Sequence, residues 1–574
     1  MVALVILGIG CGGEDPACPE GFICTPTSTG TTATDTDVPE PTDVTGSPTP
    51  TDVPTTGTPP TGAVPPAETV AATLTGGGIV TCADPSARGS APWDRKQIVT
   101  PANSREWQWG GGFIAGDFDK DGAIDMIAPS EPYANMYRGN GDGTFAVVTD
   151  ALADFPLTFG VGGSTADYDG DGDLDALILR YSEPNVLLRN DGPGLWVDVS
   201  IEAGLNPEGR MSQVAAWSDF DRDGDLDVFV GNYGYVDETG DVSTDEFVPA
   251  QRDWLYVNQG DGTFVDAGDA LPAEVHDGYT YVARWFDVDG DLWPELYTIN
   301  DFGPSQPNSL LLNQGGTLVL DAVNRYGLNL PQTGMGVGFG DVTGDGHPEM
   351  LIPEWKDLSY LVYNELAGVW VESADLAGIA YKGAQEVGWG AELADVDNDA
   401  DLDALVVFGH VETTHPDWGT PLLQPDGLWL NNGAGLFTDE AAEFAFDDEG
   451  AKRGMMALDL NGDGWLDVAK RDIRGTNVMY VSRCGSEAWL TVGLEQPGMN
   501  RMAVGAKVEV AVGDSVQARW IIAGGQTFQS GGPPEVHFGL GGAAVADWVA
   551  VTWPDGAVSV LHDVPTSQRA TIVR

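Results

Sequence analysis

Hydrophobic residues of this chain occur in short segments separated by glycine, asparagine and aspartate. The stretch 111–129 reads GGFIAGDFDKDGAIDMIAP, which is apolar, then acidic, then apolar again. A second pair of segments follows around the turn in NMYRGNGDGTF (135–145). Apolar runs of four to eight residues between such turns are typical of β-strands, and the Asn-Gly turn is a hairpin signal. The pattern therefore predicts four short strands, and it recurs along the chain.

The acidic segment between the first two strands occurs seven times. The copies start at residues 117, 167, 219, 287, 341, 395 and 459, so successive starts lie 50 to 68 residues apart. Four strands in a period of this length indicate a β-propeller, whereas the coils of a linear β-solenoid are much shorter. We predict an all-β fold, a seven-bladed β-propeller followed by a small C-terminal β-domain.

Each acidic loop carries oxygen-bearing side chains at positions 1, 3, 5 and 9, usually with glycine at position 6. These side chains are Asp117, Asp119, Asp121 and Asp125; Asp167, Asp169, Asp171 and Asp175; Asp219, Asp221, Asp223 and Asp227; Asp287, Asp289, Asp291 and Glu295; Asp341, Thr343, Asp345 and Glu349; Asp395, Asp397, Asp399 and Asp403; and Asp459, Asn461, Asp463 and Asp467.

So many carboxylates within nine residues repel one another unless a hard cation lies between them. Ca²⁺ takes six to eight oxygen ligands in flexible geometry, so up to seven Ca²⁺ are predicted. An EF-hand would need an acid at position 12 and flanking helices. Position 12 is instead Ala128, Ile178, Val230, Thr298, Ile352, Val406 and Lys470. The loops are therefore not EF-hands.

These residues resemble the FG-GAP/VCBS repeats of integrin α-chain heads and of related bacterial propellers. The resemblance covers roughly Trp93 to Arg483. It implies that positions 1, 3, 5 and 9 supply side-chain oxygens and that position 7 supplies a backbone carbonyl. The loops at Asp117, Asp167 and Asp219 match this pattern fully, so we expect them to bind most tightly.

The other loops depart from the pattern in different ways, and Asn461 is an acceptable neutral ligand. Leu292 and Ala400 replace the position-6 glycine, and Thr343 and Asn461 replace the position-3 acid. The loop at Asp341 has Thr343 at position 3 and Glu349 at position 9, so it keeps only three acids. We expect it to bind weakly.

The segment 487–574 reads as a β-rich domain. Gly505-Ala506-Lys507, PPEVHFGLGG (533–542) and TWPDG (552–556) resemble the ASPIC/UnbV domain. That domain follows FG-GAP repeats in the cartilage acidic protein family, and the domain order here is the same. His537 is expected to be a packed strand histidine, with a ligand or partner contact as the alternative.

The N-terminal part has a different composition. Residues 2–10 (VALVILGIG) are too few to cross a bilayer, and Leu7–Cys11 resembles a bacterial lipobox. We expect Cys11 to be lipid-modified; the alternative is a cleaved signal with Cys11 free. Residues from 25 to about 75 are rich in Thr, Pro, Gly, Ser and Asp, which predicts a disordered tether or leader. The predicted segments are 1–11 signal, 12–80 tether, 81–485 propeller and 486–574 C-terminal domain.

The chain has five cysteines. If Cys11 is lipid-modified, pairing Cys18 with Cys24 and Cys82 with Cys484 is the simplest of three possibilities. Cys82 and Cys484 flank the repeats, so a bond between them would hold the last blade to the first. The alternative is that these two cysteines are unrelated.

The formal net charge is −62, from 88 Asp and Glu against 26 Lys and Arg. Such a surface repels nucleic acid and anionic lipid headgroups, so membrane association is expected only through a lipid anchor. The chain lacks a G-x-S-x-G motif and a P-loop. His410 and His415 lie five residues apart, which is not the H-E-x-x-H spacing of a zinc enzyme.

We therefore expect no enzyme. The expected function is an exported, calcium-stabilised adhesion or interaction module with an unknown protein or glycan ligand, located at the outer membrane or cell surface or secreted. The alternatives are a calcium-dependent lectin, with Trp107, Trp109 and Trp293 as candidate sugar contacts, and a polysaccharide-processing enzyme or accessory protein. An acid pair or histidine outside the loops, converging in one pocket, would favour the enzyme.

Overall fold

The computed structural model describes most of the chain after residue 62. The described residues are 63–89, 92–98, 110–130, 134–148, 151–155, 157–234, 250–276, 278–303, 306–355, 357–364, 366–379, 386–411 and 421–574. Cys11, Cys18, Cys24, Trp107, Trp109, His415 and the acidic insertion 236–247 lie outside these residues.

Within the described residues, the repeat region forms seven four-stranded antiparallel units, here called blades 1 to 7. Five of them are separate sheets, whereas blades 2 and 3 are joined into one sheet where Arg210 and Met211 pair with Glu183 and Tyr181. Their strands, from the innermost outward, are Ile114–Gly116, Asp125–Ala128, Asn135–Gly139 and Phe145–Val148 in blade 1; Gly160–Ala166, Asp175–Glu183, Val186–Asn190 and Trp196–Asp198 in blade 2; Arg210–Ser218, Asp227–Asn232, Trp254–Asn258 and Phe264–Asp266 in blade 3; Thr280–Phe286, Glu295–Asn300, Ser309–Asn313 and Leu318–Leu320 in blade 4; Gly338–Gly340, Glu349–Pro353, Leu358–Asn364 and Val369–Glu372 in blade 5; Gly388–Ala394, Asp403–Phe408, Gly427–Asn431 and Phe437–Asp439 in blade 6; and Lys452–Leu458, Asp467–Asp472, Val478–Ser482 and Trp93–Gln97 in blade 7.

Blade 7 is built from both ends of the repeat region. Its outer strand Trp93–Gln97 pairs with Val478–Ser482, in register from Trp93 opposite Ser482. On the inner side, the backbone N–H of Gly454 donates to the carbonyl of Gly111, just before blade 1. The predicted bond between Cys82 and Cys484 is present beside this junction. The ring of blades is thus closed by strand pairing and by a covalent bond.

The C-terminal domain contains two four-stranded sheets. The first sheet consists of Thr73–Gly76, Gln568–Val573, Ala488–Glu495 and Glu535–Gly541, and the second of Ser515–Trp520, Lys507–Val512, Val545–Thr552 and Val558–Pro565. Alternate residues of the strands, such as Leu490, Val492 and Val508, pack between the sheets. The prediction of an all-β propeller followed by a small β-domain is confirmed.

The remaining regular elements are short. They are the 3-10 turns Pro85–Ala87 and Gly268–Ala270, the α-helical turns Ala273–His276 and Ala374–Ala377, and the paired segments Gln424–Pro425 and Glu449–Gly450. Within the described part of the chain, none of the helices is long and apolar enough to cross a bilayer.

The predicted tether is wrong at its C-terminal end. Residues 63–80 lie on the C-terminal domain, and Thr73–Gly76 pairs antiparallel with the last strand, Gln568–Val573. Val70, Ala72 and Leu74 alternate along this segment and pack against the core of the domain. Their period-two pattern is a strand signal that the surrounding Pro, Thr and Gly obscure.

A segment of the C-terminal domain enters the axis of the propeller. We call residues 521–534, between Ser515–Trp520 and Glu535–Gly541, the plug. Ala523–Gly524 pairs with Ala216–Trp217 of blade 3, and the carbonyl of Gln529 accepts the N–H of Gly163 at 3.0 Å. A Cβ on Gly162 would meet that carbonyl oxygen at 2.1 Å, so glycine is required where the plug touches the innermost strand.

The plug also bonds to other blades. Gly531 exchanges backbone hydrogen bonds with Phe113 and Ala115 of blade 1, and Thr527 Oγ1 accepts the N–H of Ala391 in blade 6 at 3.0 Å. Phe528 is fully buried, with ring centroids of Tyr281 and Trp389 at 5.7 and 5.1 Å. The propeller axis is therefore filled at this level by the C-terminal domain.

Candidate metal centres

The acidic loops share one hydrogen-bonding scheme, which blade 1 illustrates. The carboxylate of Asp117 at position 1 accepts the N–H groups of Asp121 and Gly122 at 3.0 and 2.9 Å, which folds the loop back on itself. The carboxylate of Asp121 at position 5 accepts the N–H of Ala123 at 3.0 Å. The loop backbone is therefore organised around its own carboxylates.

The position-9 acid joins each loop to the sheet. In blade 1, buried Asp125 accepts the N–H of Phe118 in the loop at 3.3 Å and the N–H of Gly139 in the third strand at 2.9 Å. Equivalent bonds to the third strand run from Asn190 to Asp175, Asn258 to Asp227, Asn313 to Glu295, Asn431 to Asp403 and Ser482 to Asp467. A change in loop geometry is thus transmitted directly to the sheet.

Asparagines at the end of the third strand connect neighbouring blades. The Nδ2 group of Asn258 donates to the carbonyls of Tyr168 in the preceding loop and Leu226 in its own loop, at 3.1 and 3.2 Å. Asn190, Asn313 and Asn431 reach the preceding loop in the same way. These residues were not predicted from the sequence, although the Asn before most of the Gly-rich hairpins was a visible signal.

Carboxylates converge in five of the loops. One oxygen from each of three side chains lies within 4.8 Å of the others in the sets Asp117, Asp119 and Asp125; Asp167, Asp169 and Asp175; Asp219, Asp221 and Asp227; Asp287, Asp289 and Asp291; and Asp395, Asp397 and Asp399. The loops at Asp341 and Asp459 have Thr343 and Asn461 at position 3 and so contribute fewer acids. Several loops can therefore hold a cation.

The residues present fit a hard divalent ion. Asp167 Oδ1 and Asp397 Oδ1 are buried oxygens without a hydrogen-bond partner, and both residues belong to the convergent carboxylate set of their loop. An unpartnered buried carboxylate oxygen is costly unless a cation compensates it. An all-oxygen set of this kind suits Ca²⁺ better than softer metals. When bound, the ion would supply charge compensation and cross-linking of the loop.

Burial raises the pKa values of many of these acids. It raises the pKa of Asp125 to about 7 and that of Asp227 to about 9, and the neighbouring loop carboxylates add to both shifts. Burial likewise raises the pKa of Asp395 to about 8. Because the charged forms are disfavoured, protons and cations compete for the same oxygens.

The loop backbone is left-handed at positions 4 and 6. Position 6 is glycine in five loops, but Leu292 and Ala400 adopt φ values of 71° and 89° in the other two. Position 4 includes the non-glycine residues Lys120, Arg222 and Asn398, with φ between 57° and 60°. The glycine requirement at position 6 was visible in the sequence, whereas the left-handed backbone at position 4 was not predicted.

The C-terminal domain bonds to the loops directly. Asn398, at position 4 of the blade-6 loop, accepts the N–H of Gly541 on its carbonyl at 2.9 Å and His537 Nε2–H on its Oδ1 at 2.8 Å. Asn500 N–H donates to the carbonyl of Gly224 in the blade-3 loop at 3.0 Å, and Lys507 Nζ donates to that of Gly346 in the blade-5 loop at 3.3 Å. The face that carries the candidate metal centres is therefore covered over the loops of blades 3, 5 and 6.

The histidines and tryptophan named as candidates lie as follows. His537 is a strand residue whose Nδ1 accepts from Thr491 Oγ1 at 3.2 Å, and burial lowers its pKa to about 3. His410 is buried, and its Nδ1 bonds to the carbonyl of Val411 at 2.8 Å. Trp293 is half-buried with the guanidinium of Arg222 5.2 Å from its ring centroid.

Comparison with protein families agrees with this architecture. A family model for FG-GAP-like repeats matches residues 117–178, 167–230 and 287–352, and a model described as ASPIC and UnbV matches residues 496–574. The chain thus carries FG-GAP-like repeats followed by an ASPIC/UnbV domain.

Curated relatives with this domain content are named cartilage acidic protein 1. The Mus musculus protein is 26% identical over 426 residues, which cover 69% of this chain and 61% of the relative. The Homo sapiens protein is 24% identical over 426 residues, covering 69% and 60%. The Xenopus tropicalis protein is 22% identical over 494 residues, covering 72% and 74%. The chain spans about three fifths of the mouse and human relatives.

Similarities to solved structures are weaker. A structure of an Agrocybe aegerita lectin that recognises non-reducing terminal N-acetylglucosamine has a TM-score of 0.37 and 16% identity, covering 58% of this chain and 79% of the lectin. BBS1N in complex with ARL6DN has a TM-score of 0.39 and 9% identity, covering 68% and 98%. Scores this low bear on neither the fold nor the function.

Proposed function

We propose that this protein is an exported, calcium-stabilised interaction module that binds a protein or glycan ligand. The observation that carries the proposal is the convergence of three carboxylates in each of five loops. Each such loop belongs to one blade, and position-9 acids such as Asp125 bond to the third strand as well as to the loop. A cation that binds only the folded loops stabilises the blades to which they belong.

Thermal melting with and without chelator tests this proposal. A site saturated at one hundred times its dissociation constant contributes about 2.7 kcal/mol, so several sites together should raise the Tm strongly. We expect EDTA to lower the Tm by many degrees, and Ca²⁺ to restore it more fully than the same concentration of Mg²⁺. A Tm that is the same in EDTA and in Ca²⁺ would contradict calcium stabilisation.

The covered loop face supports a partner surface elsewhere. The C-terminal domain bonds to loops of blades 3, 5 and 6, so a large partner would meet the outer wall or the opposite face of the ring. On that opposite face the second strands end, at Ala128, Glu183, Asn232, Asn300, Pro353, Phe408 and Asp472.

Export is supported by two features. The Cys82–Cys484 disulfide suits an oxidising compartment, and extracellular calcium modules work at millimolar Ca²⁺, which acidic loops of this kind would meet outside the cell. We propose a cell-surface lipoprotein anchored at Cys11, with a secreted form as the alternative. Labelling with a fatty-acid analogue should mark the wild type but not Cys11→Ala; equal labelling of both would reject the anchor.

A binding role is proposed rather than an enzymatic one. In the described ranges, each group of three or more His, Cys, Asp or Glu side chains able to hold a metal lies in an acidic loop. These carboxylates are thereby assigned to cation binding. Hydrolysis of a polysaccharide by the purified protein, lost in a variant outside the loops, would overturn this part of the proposal.

A further inference from the structure

A cleft of about 630 Å³ lies between the C-terminal domain and the acidic loops of blades 3, 4 and 5. We call it the rim cleft. Ligand sites of proteins commonly have volumes of about 300–1,000 Å³ and combine apolar walls with a few polar groups. The rim cleft has this size, and its two walls come from different domains.

Aromatic rings line both walls. Tyr326 and Tyr363 of the propeller and Trp520 of the C-terminal domain are half-buried and line the cleft. The Tyr363 ring is backed by His347, with ring centroids 3.9 Å apart, and Trp520 by Phe339 at 5.5 Å. Aromatic rings held in this way offer rigid apolar faces, against which the C–H face of a pyranose ring can stack.

The blade-4 loop brings its carboxylates to the same cleft. Its convergent set uses positions 1, 3 and 5, and Asp289 and Asp291 are exposed, whereas the sets of blades 1 to 3 include the buried position-9 acid. As with Asp125 in blade 1, both oxygens of Glu295 at position 9 accept backbone N–H groups, of Val288 at 2.8 Å and Asn313 at 3.2 Å, so the exposure of Asp289 and Asp291 is what distinguishes blade 4. The blade-4 site is therefore the more open to solvent.

Three carboxylates supply fewer oxygens than the six to eight that Ca²⁺ accepts. Asp287 and Asp289 line the rim cleft, so oxygens of a ligand in the cleft would lie on the open side of an ion held by these carboxylates. Tyr326 Oη lies 3.4 Å from Asp289 Oδ2, which puts an aromatic ring beside the carboxylate set. Two adjacent hydroxyl oxygens of a sugar ring are suitable additional ligands for a Ca²⁺ ion held by these carboxylates.

The other polar groups of the cleft favour a neutral ligand. Lys507 Nζ lies 3.3 Å from Glu509 Oε1, so both a hydrogen-bond donor and an acceptor are present on the C-terminal wall. Arg222 and Lys507 oppose the acidic side chains that line the cleft, and cations in the loops would offset most of the remaining charge. Strongly anionic and strongly cationic ligands are both disfavoured in such a site.

We propose that the rim cleft is a calcium-dependent binding site for neutral carbohydrate of one or two pyranose units. A ring stacks on Tyr326 or Trp520 while a pair of adjacent hydroxyls faces the blade-4 acidic loop. This inference rests on the proposed function, because it names the ligand class and the site of the interaction module.

A glycan array probed with fluorescently labelled full-length protein in Ca²⁺ tests the inference. The wild type should bind neutral glycans in Ca²⁺. Tyr326→Ala and Asp289→Asn should each reduce the apparent affinity about tenfold or more, the effect expected from loss of one stacked ring or one ion ligand.

Matched controls separate loss of binding from loss of folding. Asp119→Asn changes the same loop position in blade 1, and Trp293→Ala removes an aromatic ring from the blade-4 loop; neither residue lines the cleft. Both controls should keep wild-type affinity, and all variants should melt in Ca²⁺ within a few degrees of the wild type.

The inference is overturned if the wild type binds no neutral glycan or binds only anionic glycans. It is also overturned if all four variants bind as well as the wild type. A Tm unchanged by EDTA would instead contradict the calcium stabilisation of the proposed function. If EDTA lowers the Tm and a protein partner binds elsewhere while no glycan binds, the inference fails and the proposed function stands.

Discussion

Position 6 of the acidic loops is a single-residue determinant of loop stability. A left-handed backbone costs a non-glycine residue about 1–2 kcal/mol, and Ala400 adopts φ of 89° there. Part of the gain on replacement by glycine is lost to the larger entropy of the unfolded chain. The loop at Asp395 therefore stores strain that the loops with glycine do not.

We expect Ala400→Gly to stabilise the protein by up to about 1 kcal/mol, seen as a higher midpoint of urea unfolding in Ca²⁺. The matched control is Gly122→Ala in blade 1, where a Cβ would meet nothing within 4 Å and the change acts on the backbone alone. That control should lower the midpoint. A lower midpoint for Ala400→Gly would argue against strain at this position.

The buried loop acids predict a pH dependence of the cation-free protein. Burial raises the pKa of Asp227 to about 9 and that of Glu295 to about 8, from 3.8 and 4.5. A raised folded-state pKa gives stability that is complete below the unfolded-state value and is lost as pH rises through the folded-state value. In EDTA the Tm should therefore fall between about pH 5 and pH 9.

The same acids make cation binding release protons. Calorimetry in two buffers of different ionisation enthalpy should show proton release on Ca²⁺ binding, and the apparent affinity should be higher at pH 8 than at pH 6. A Tm in EDTA that rises with pH, or binding without proton release, would contradict the pKa shifts of these carboxylates.

At the scale of the strand and loop, the asparagines of the third strands connect blades. Asn258→Ala removes the bonds from Nδ2 to the carbonyls of Tyr168 and Leu226 and leaves both acceptors buried. Unsatisfied buried groups cost about 1–3 kcal/mol each, so we expect a loss of about 2–4 kcal/mol in the free energy of unfolding.

Asn364→Ala is the matched control for this variant. Asn364 ends the third strand of blade 5 but is exposed, and its Oδ1 accepts only the nearby N–H of Ala367 among the bonds described. Its replacement should cost less than about 1 kcal/mol by denaturant unfolding, the net value of one hydrogen bond. Equal losses for the two variants would show that the inter-blade bond has no special role.

The blades were predictable because each repeats a local pattern. Loop acids, hairpin turns and apolar strands such as LDALILR (174–180) lie within one period of the sequence, so local signals suffice. The strand Thr73–Gly76 was missed because its partner, Gln568–Val573, lies almost 500 residues away. A single edge strand with three alternating apolar residues is too weak a signal in a Pro- and Thr-rich segment.

The plug was not predictable for a related reason. Its sequence IIAGGQTFQSGGPP (521–534) reads as an ordinary glycine-rich loop with one aromatic residue. What places Phe528 in the axis is contact with Tyr281 and Trp389, and with glycines such as Gly162 that leave space for the plug. These contacts join distant parts of the chain, which propensity and periodicity do not encode.

In the whole molecule, the loops, the C-terminal domain and the plug form one connected system. Asn398 accepts hydrogen bonds from the C-terminal domain and lies in the same loop as Asp395, Asp397 and Asp399. Loss of a cation from that loop would relax Asn398, whose side-chain Oδ1 bonds to His537 and whose backbone carbonyl bonds to Gly541. Cation binding and docking of the C-terminal domain are therefore expected to favour each other.

Hydrogen exchange at residues 521–534 measures this coupling. We expect EDTA to speed exchange of the plug amides, such as Gly531, which donates to Phe113, at a temperature where the central strands of the blades stay protected.

Phe528→Ala should have a similar effect in Ca²⁺, because truncating a fully buried phenylalanine costs about 3–5 kcal/mol. Val545→Ala, which changes an exposed residue of the same domain, is the control and should leave the plug protected. Plug exchange at the same rate in EDTA and in Ca²⁺ would contradict this coupling. The C-terminal domain would then be held in place independently of cation binding, despite its bonds to Asn398 and Gly224.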